Sequence, residues 1–434
     1  MTTDLGGLMC DIPGIAPRRV AVIGQGYVGL PVAIGAVEVG FDVVGFDIDK
    51  TRIDCLRKAE TFIDDITDGD LVIAMSTGRY LPTDDPGALA GFDVAVVCVP
   101  TPLRDGAPDL SYVEAAATII APYITPGCCT ILESTSYPGT TEEIFIPILE
   151  AGSGLRAGVE FFAGYSPERI DPGNEIWRVH HTPKIIAGVN QASLRVLQDF
   201  YGRLVERTVP VPGLREAELA KLLENTFRHV NIALVNELAV YCHDLALDVW
   251  SVVEAAATKP FGFMKFTPGP GVGGHCLPID PSYLTWQAWR SLGRPFRFVD
   301  IANDVNDNMP GHVVSRVVTH LNQLRKSVNG SRILLVGLAY KRNSRDTRQS
   351  PAITVAKKLA DLGADLRGVD PLVRAEDIPG YIRLVPCESS QITDVDLVIV
   401  LADHDAIDWE LFEPYADRIL DTRNRLRSPS AARL

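Results

Sequence analysis

The segment TPGPGVGGHCLPIDP (267–281) crowds glycines and prolines ahead of a single cysteine, Cys276. Glycines in that number leave the backbone open to a ligand and the thiol unobstructed. Asp280-Pro281 reads as an N-cap with proline at the first helical position, opening a helix through Tyr283, Leu284, Thr285 and Trp286. A thiol near a helix N-terminus has its thiolate favoured by the dipole, which is what a nucleophile needs. Each residue also has a structural alternative: Cys276 as a small buried side chain, Asp280 as a cap alone, and His275 as a packed or substrate-lining loop residue.

A second segment says what such a thiol would work with. RVAVI (19–23) runs into GQGYVG (24–29), a helical stretch follows, and a further apolar run ends at Asp47, twenty-one residues after Gly26. Strand, GxGxxG, helix and strand with a carboxylate at that distance form a dinucleotide-binding unit. Gly24, Gly26 and Gly29 shape the turn, and Asp47 accepts from the adenosine ribose. The alternative is a glycine-rich turn in a domain that binds nothing. An acid rather than an arginine after the second strand favours NAD over NADP. A cysteine nucleophile beside NAD suggests oxidation through a thiohemiacetal and a thioester. That chemistry needs a cation near the oxyanion and a base for water; Lys221 and Asp280 are of suitable type.

The elements that must position these residues form a regular pattern. Runs at 94–99 and 130–133 continue a parallel sheet. After PVPG (210–213), Leu219, Leu222, Leu223, Phe227, Val230, Leu234 and Leu238 recur at three- and four-residue intervals and mark one apolar stripe. Lys221, Asn225 and His229 fall on the opposite side of the wheel, which by itself reads as a solvated polar face. A second α/β unit starts at RILLVG (332–337), continues through a helix at 352–362, and resumes in strands ending at Asp370 and at 397–401. The expected fold is α/β: two Rossmann-like, doubly wound domains joined by a central helical domain with a long helix. The expected boundaries are a flexible arm at 1–17, then 18–212, 213–328 and 329–434. The run KRNSRDTR (341–348) packs four cations into eight residues after a strand end, where phosphate binding competes with a solvated charged loop.

Composition excludes several classes. Lys+Arg is 41 against Asp+Glu 55, a net charge of −14, so a nucleic-acid partner is disfavoured. No run reaches the roughly 18 apolar residues of a membrane span, and the first residues lack the order of a signal peptide. The eight cysteines show neither CxxC pairs nor metal-like spacing, so no metal is expected and a reducing cytoplasm fits.

Taken together, GQGYVGLP (24–31), VPTPL (99–103), ESTSYPGTT (133–141), YSPERIDPGN (165–174), ELAKLLENTFRHVNIALVNE (218–237), GPGVGGHCLPIDP (269–281) and KRNSRDTRQSP (341–351) resemble, in order, the UDP-glucose / UDP-N-acetylhexosamine 6-dehydrogenase family. The resemblance covers nearly the whole chain. It implies Cys276 as nucleophile, Lys221 and Asn225 as oxyanion partners, Asp280 in proton transfer, and Thr135 and Glu168 at the catalytic water. It implies NAD on Gly24, Gln25, Gly26, Tyr27, Val28, Gly29, Asp47, Arg52, Thr101 and Thr135, with Arg348 reaching across from the C-terminal domain. It implies a nucleotide sugar on Glu168, Arg169, Lys221, Asn225, Gly271, Gly273 and Lys341, and a homodimer or higher homo-oligomer built on the long helix. The implied reaction takes a sugar C6 alcohol to a carboxylate with two NAD and one water. KPFGFM (259–264) and the Gly-Gly-His-Cys sequence look like the N-acetylhexosamine branch. A dTDP- or UDP-glucose enzyme of a specialised pathway shares the frame. A β-hydroxyacid or 6-phosphogluconate-type dehydrogenase, or a silent binding module, remains as an alternative outside it.

Overall fold

The protein is represented by a computed structural model that describes residues 18–63, 66–170, 179–274 and 277–434. The expected arm at 1–17 lies outside them. Two sheets flank a helical middle. The first has eight strands: β1 (Arg19–Ile23), β2 (Asp42–Phe46), β3 (Tyr80–Thr83), β4 (Val94–Val97), β5 (Cys129–Leu132), β6 (Phe162–Tyr165), β7 (Lys184–Gly188) and β8 (Thr208–Pro210), in the order β8-β7-β6-β5-β4-β1-β2-β3. Successive side chains of β1 alternate between two cores, Ala21 and Ile23 on one face and Val20 and Val22 on the other. Burial on both faces is why such strands read as unbroken apolar runs. Strand order reverses at β1, between β2 and β4, so a crevice opens above its carboxyl end. Helix α1 (Gly29–Glu38) starts there. β7 runs antiparallel to β6, with β8 parallel to β7, so the first residue of β7 lies at the edge where the parallel strands end.

The second sheet repeats the device. Its strands are β9 (Arg332–Val336), β10 (Asp365–Val369), β11 (Ile382–Leu384), β12 (Leu397–Val400), β13 (Ile419–Asp421) and β14 (Ala432–Arg433), in the order β11-β10-β9-β12-β13-β14, all parallel. Gly24 N–H donates to Phe46 O and Gly337 N–H to Val369 O, both at 2.8 Å, and both glycines have positive φ. One turn thus recurs in two halves that share little sequence.

Helix α2 (Gln191–Leu204) packs on the first sheet, and between the two sheets in the chain come α3 (Leu214–Asp244), α4 (Asp280–Leu292) and α5 (Arg297–Gln323). Helix α3, at 31 residues, is about 46 Å long at 1.5 Å per residue. Its orientation reverses the reading of the wheel. Lys221 and His229 are buried, at 8 % and 2 % exposure, while Leu219, Leu223, Phe227 and Leu234 face outward at 45–63 %. Periodicity identifies two faces of a helix but not which one meets the rest of the chain. The polar face turns inward here because it meets polar partners there, Asp280 and Asn303.

Candidate active site

The three glycines of the first turn differ in what a side chain would meet. Gly24 sits at φ +91°, and a Cβ there would lie 2.5 Å from the Cys98 carbonyl. A Cβ on Gly29 would lie 1.8 Å from the Gly24 carbonyl, so α1 packs on the strand only without one. A Cβ on Gly26 would meet nothing within 4 Å, which leaves that backbone open to a ligand. Gln25 is buried, donating to Val22 O and accepting from the Tyr80 hydroxyl at 2.7 Å. Its backbone N–H donates to Asp47 Oδ2 at 2.7 Å, and Asp49 N–H to Oδ1 at 2.9 Å. Arg52 donates to the same Oδ2 at 2.7 Å while stacking on Phe62. An open glycine at a helix start and a carboxylate at the next strand end are the fittings for a pyrophosphate and a ribose diol. Asp47→Asn is expected to cut the NAD-over-NADP preference in kcat/KM at least tenfold, because it removes a charge that repels a 2′-phosphate and releases Arg52. An unchanged ratio would count against Asp47 as the discriminating residue.

Thr101 follows β4 and Thr135 follows β5, both half-buried at the same sheet edge. The Tyr283 hydroxyl of α4 donates to the Thr101 carbonyl, so the middle helices are tied to that edge. Tyr27 and Val28 complete the first turn, with the Arg348 guanidinium 5.0 Å over the Tyr27 ring. That contact joins the second sheet's loop to the first sheet's turn.

Lys221, Asn225 and Asp280 converge where α3 meets α4. Asn225 Nδ2 donates to Asp280 Oδ2 at 2.6 Å. Burial pushes the Asp280 carboxyl up to about 7, against the opposing pull of Lys221 and Asn225. The cap reading of Asp280 fails: Ile279 is the N-cap, without a side-chain cap bond, and Asp280 and Pro281 are the first two helical residues. Its carboxyl turns to α3 because Asn225 and Lys221 solvate it better than its own helix end. Cys276 and His275 lie outside the described residues. The glycines before them are pressed against α3 and the C-terminal part of the chain. Gly269 N–H donates to Asn236 Oδ1 at 2.9 Å, and Gly274 N–H to Arg348 O at 3.3 Å. A Cβ on Gly273 would lie 2.5 Å from Gln349 O, and one on Gly271 3.1 Å from Pro351. The glycines that look open in sequence are thus needed largely for close packing.

Glu168 follows β6. Its Oε1 accepts from the N–H groups of Arg169 and Ile170, and Lys184 donates to Oε2 at 3.1 Å. Arg169 is committed to Glu224 of α3 at 2.7 Å and to the Pro183 carbonyl. The cationic loop is partly neutralised inside the protein. Arg342 pairs with Asp403 and Asp405, and Arg348 with Asp346 at 2.7 Å. Lys341 lies over the Tyr340 ring. Asn343 N–H donates to His404 Nδ1 at 3.0 Å, which leaves the proton on Nε2 to reach Asp370 Oδ2 at 3.1 Å. Asp370 also accepts from Leu338, Ala339, Leu372 and Val373 N–H groups. Among the described residues, its counterpart Asp47 accepts from three donors and Asp370 from five, so the two strand-end acids are used differently in the two halves.

Three family models match the chain in order: the NAD binding domain of the UDP-glucose/GDP-mannose dehydrogenase family at residues 18–205, its central domain at 215–308 and its UDP binding domain at 334–428. The chain belongs to that family. It is similar to the UDP-N-acetyl-D-glucosamine 6-dehydrogenase of Pseudomonas aeruginosa, at 38 % identity over 390 residues covering 89 % of this chain and 90 % of the relative. Among solved structures, the UDP-D-ManNAc dehydrogenase of Pyrococcus horikoshii matches at 34 % identity and TM-score 0.85, covering 95 % of this chain and 96 % of the other. The UDP-glucose dehydrogenase of Pyrobaculum islandicum matches at 27 % and 0.86, covering 98 % and 99 %. The protein is an NAD-dependent nucleotide-sugar dehydrogenase, an oxidoreductase acting on CH–OH. No helix among the described residues is long and apolar enough to cross a membrane.

The dehydrogenase also carries polar groups that sequence reasoning passed over. Glu218, one turn before Lys221, is fully buried and accepts from Gly139 N–H, Thr141 N–H and the Thr141 hydroxyl at 2.6–2.8 Å. It ties α3 to the turn that follows Thr135. Lys184 is buried between Glu168 and Glu133, 3.2 Å from Glu133 Oε1. Glu133 opens ESTSYPGTT and was visible there as a lone acid after an apolar run. Lys184 had no local signal, because only the antiparallel turn of β7 brings it to these partners.

Proposed function

We propose that this dehydrogenase oxidises the C6 hydroxyl of a UDP-N-acetylhexosamine, of the N-acetylglucosamine or N-acetylmannosamine type, to the uronate, with UDP-glucose as the alternative sugar. The observation that carries this reading is the convergence of Lys221, Asn225 and Asp280, with the 2.6 Å Asn225–Asp280 contact, four residues beyond Cys276 in the chain. Gly24, Gly26, Gly29 and Asp47 would hold NAD, which supplies a hydride acceptor when bound. Asp280 takes the alcohol proton. The Cys276 thiolate adds to the aldehyde carbon, and Lys221 and Asn225 donate to the resulting oxyanion. After the thiohemiacetal has become a thioester, water held by Glu168 and Thr135 attacks it and releases the thiolate.

Lys341 and Arg348 belong to the nucleotide-sugar and cofactor sides of the C-terminal loop, and the three units divide at 212/213 and 328/329. The outward Leu219, Leu223, Phe227 and Leu234 of α3, together with exposed Phe298 and Ile301 of α5, support a homodimer. The six described cysteines are all free, which suits a reducing cytoplasm.

The reading is tested by NADH release with UDP-GlcNAc, UDP-ManNAc, UDP-glucose, UDP-galactose and dTDP-glucose. The expected result is a UDP-N-acetylhexosamine as best substrate, with two NADH per sugar. Release with dTDP-glucose alone, or with none of the panel, would overturn it.

A further inference from the structure

The first sheet's carboxyl edge holds a buried charged triad. Lys184 Nζ lies 3.1 Å from Glu168 Oε2 and 3.2 Å from Glu133 Oε1. The side chains of Lys184, Glu133 and Glu168 are 8 %, 0 % and 11 % exposed. Among the described residues, Tyr201 of α2 donates its hydroxyl to Glu133 Oε1, the Cys98 thiol after β4 lies 3.7 Å from Glu133 Oε2, and Arg169, beside Glu168, is neutralised by Glu224 of α3 at 2.7 Å. Tyr165 of β6 is fully buried nearby, its hydroxyl unpartnered among the described residues, and contributes no charge. Two carboxylates therefore share one ammonium in a site largely closed to water.

The acceptor count on Glu168 is informative. Among the described residues, Oε1 has two backbone N–H donors and Oε2 has Lys184, so one acceptor direction remains, on Oε2. We propose that Lys184 is a positioning residue for the hydrolytic half of the reaction: by bridging Glu133 and Glu168 it aims the remaining acceptor direction of Glu168 at the attacking water. This rests on Glu168 holding the water, as proposed above. Removing the cation leaves two buried carboxylates side by side, and such a pair retains a proton to higher pH. Burial already pushes Glu133 upward, with Lys184 opposing it. Burial disfavours the Lys184 ammonium, but Glu133 and Glu168 outweigh this and hold it above its ordinary range.

The test is thioester hydrolysis against pH, read as decay of the covalent enzyme adduct by rapid quench and intact mass. In Lys184→Met, adduct formation is expected within about threefold of wild type, because Lys221, Asn225 and Asp280 are untouched. Hydrolysis at pH 7 is expected to fall at least tenfold and to recover as pH rises. Lys184→Arg keeps a cation between the carboxylates and should restore most of the rate. Lys184→Met/Glu133→Gln removes the competing acid and should move the acid limb back down, which a merely structural lysine would not produce. If the double variant keeps the limb of the single one, or Lys184→Met slows both halves alike, the proposal fails. Should Lys184→Met not fold, Glu133→Gln alone decides. A limb at or below the wild-type pH supports the proposal, and an upward shift overturns it. Glu168→Gln separates the two readings: rapid hydrolysis there overturns the water-holding role itself. An accumulated adduct there, without one in Lys184→Met, overturns only the role of Lys184.

Discussion

Lys221→Met is expected to slow formation of the covalent adduct by about 10²–10³, the scale set by removing one oxyanion partner, while NAD affinity stays within about twofold. The side chain is buried on the inward face of α3, on a helix that follows the first sheet in the chain. The GQGYVG turn and Asp47 keep their own bonds without it. A second consequence follows for pH. Burial holds Asp280 at about 7, and Lys221 is the first of the two groups pulling it down. Without that cation the carboxyl moves further up, so its ionised form, which accepts the alcohol proton, is lost at neutral pH and returns only at higher pH. The sign is definite: the acid limb of the first hydride step shifts to higher pH in Lys221→Met and disappears in Asp280→Asn. Pre-steady-state NADH formation across pH, with equilibrium NAD binding alongside, measures both effects. A loss below threefold, or a parallel loss of NAD binding, would remove Lys221 from the chemistry.

The parts of this site that were legible in sequence are those whose partners are close in the chain. GQGYVG and Asp47 belong to one βαβ unit, and steric clashes at Gly24 and Gly29 leave few alternatives there. Both sheets were legible because their strands are apolar on two faces. The long helix was legible as a helix, but its orientation was not. A wheel that separates Leu219, Leu223, Phe227 and Leu234 from Lys221, Asn225 and His229 says nothing of what meets each face. The inward polar side became evident only with Asp280 beside Asn225, and with His229 Nε2 bonded to Asn303 Oδ1 at 2.8 Å. Asp280 itself misled because Asp-Pro at a helix start is so often a cap. The cationic loop showed its charge but not its partners: Asp403 and Asp405, which engage Arg342, arrive from the end of β12. Lys184 marks the limit. A lysine at the head of KIIAG carries no motif, and its two carboxylates are supplied by strand order alone.

Cys276→Ser is expected to abolish steady turnover while still capturing substrate. A serine oxygen can add to the aldehyde, but the ester formed after the second oxidation has a poorer leaving group than a thioester, so water releases it far more slowly. The enzyme should then gain mass near that of the nucleotide sugar, and stop after about two NADH per active site. Wild type should instead release two NADH for every carboxylate, with little free aldehyde. The contrast with Lys221→Met is diagnostic: loss of the cation slows entry into the covalent state, whereas loss of the thiol prevents exit from it. Mixing the two in one population would superpose a slow rise and a permanent adduct, distinguishable by intact mass against time. One NADH per sugar in wild type, with aldehyde as the end product, would refute covalent capture. It would leave Cys276 as a packing residue, and the Asp280–Asn225–Lys221 cluster as an alcohol-oxidising site alone.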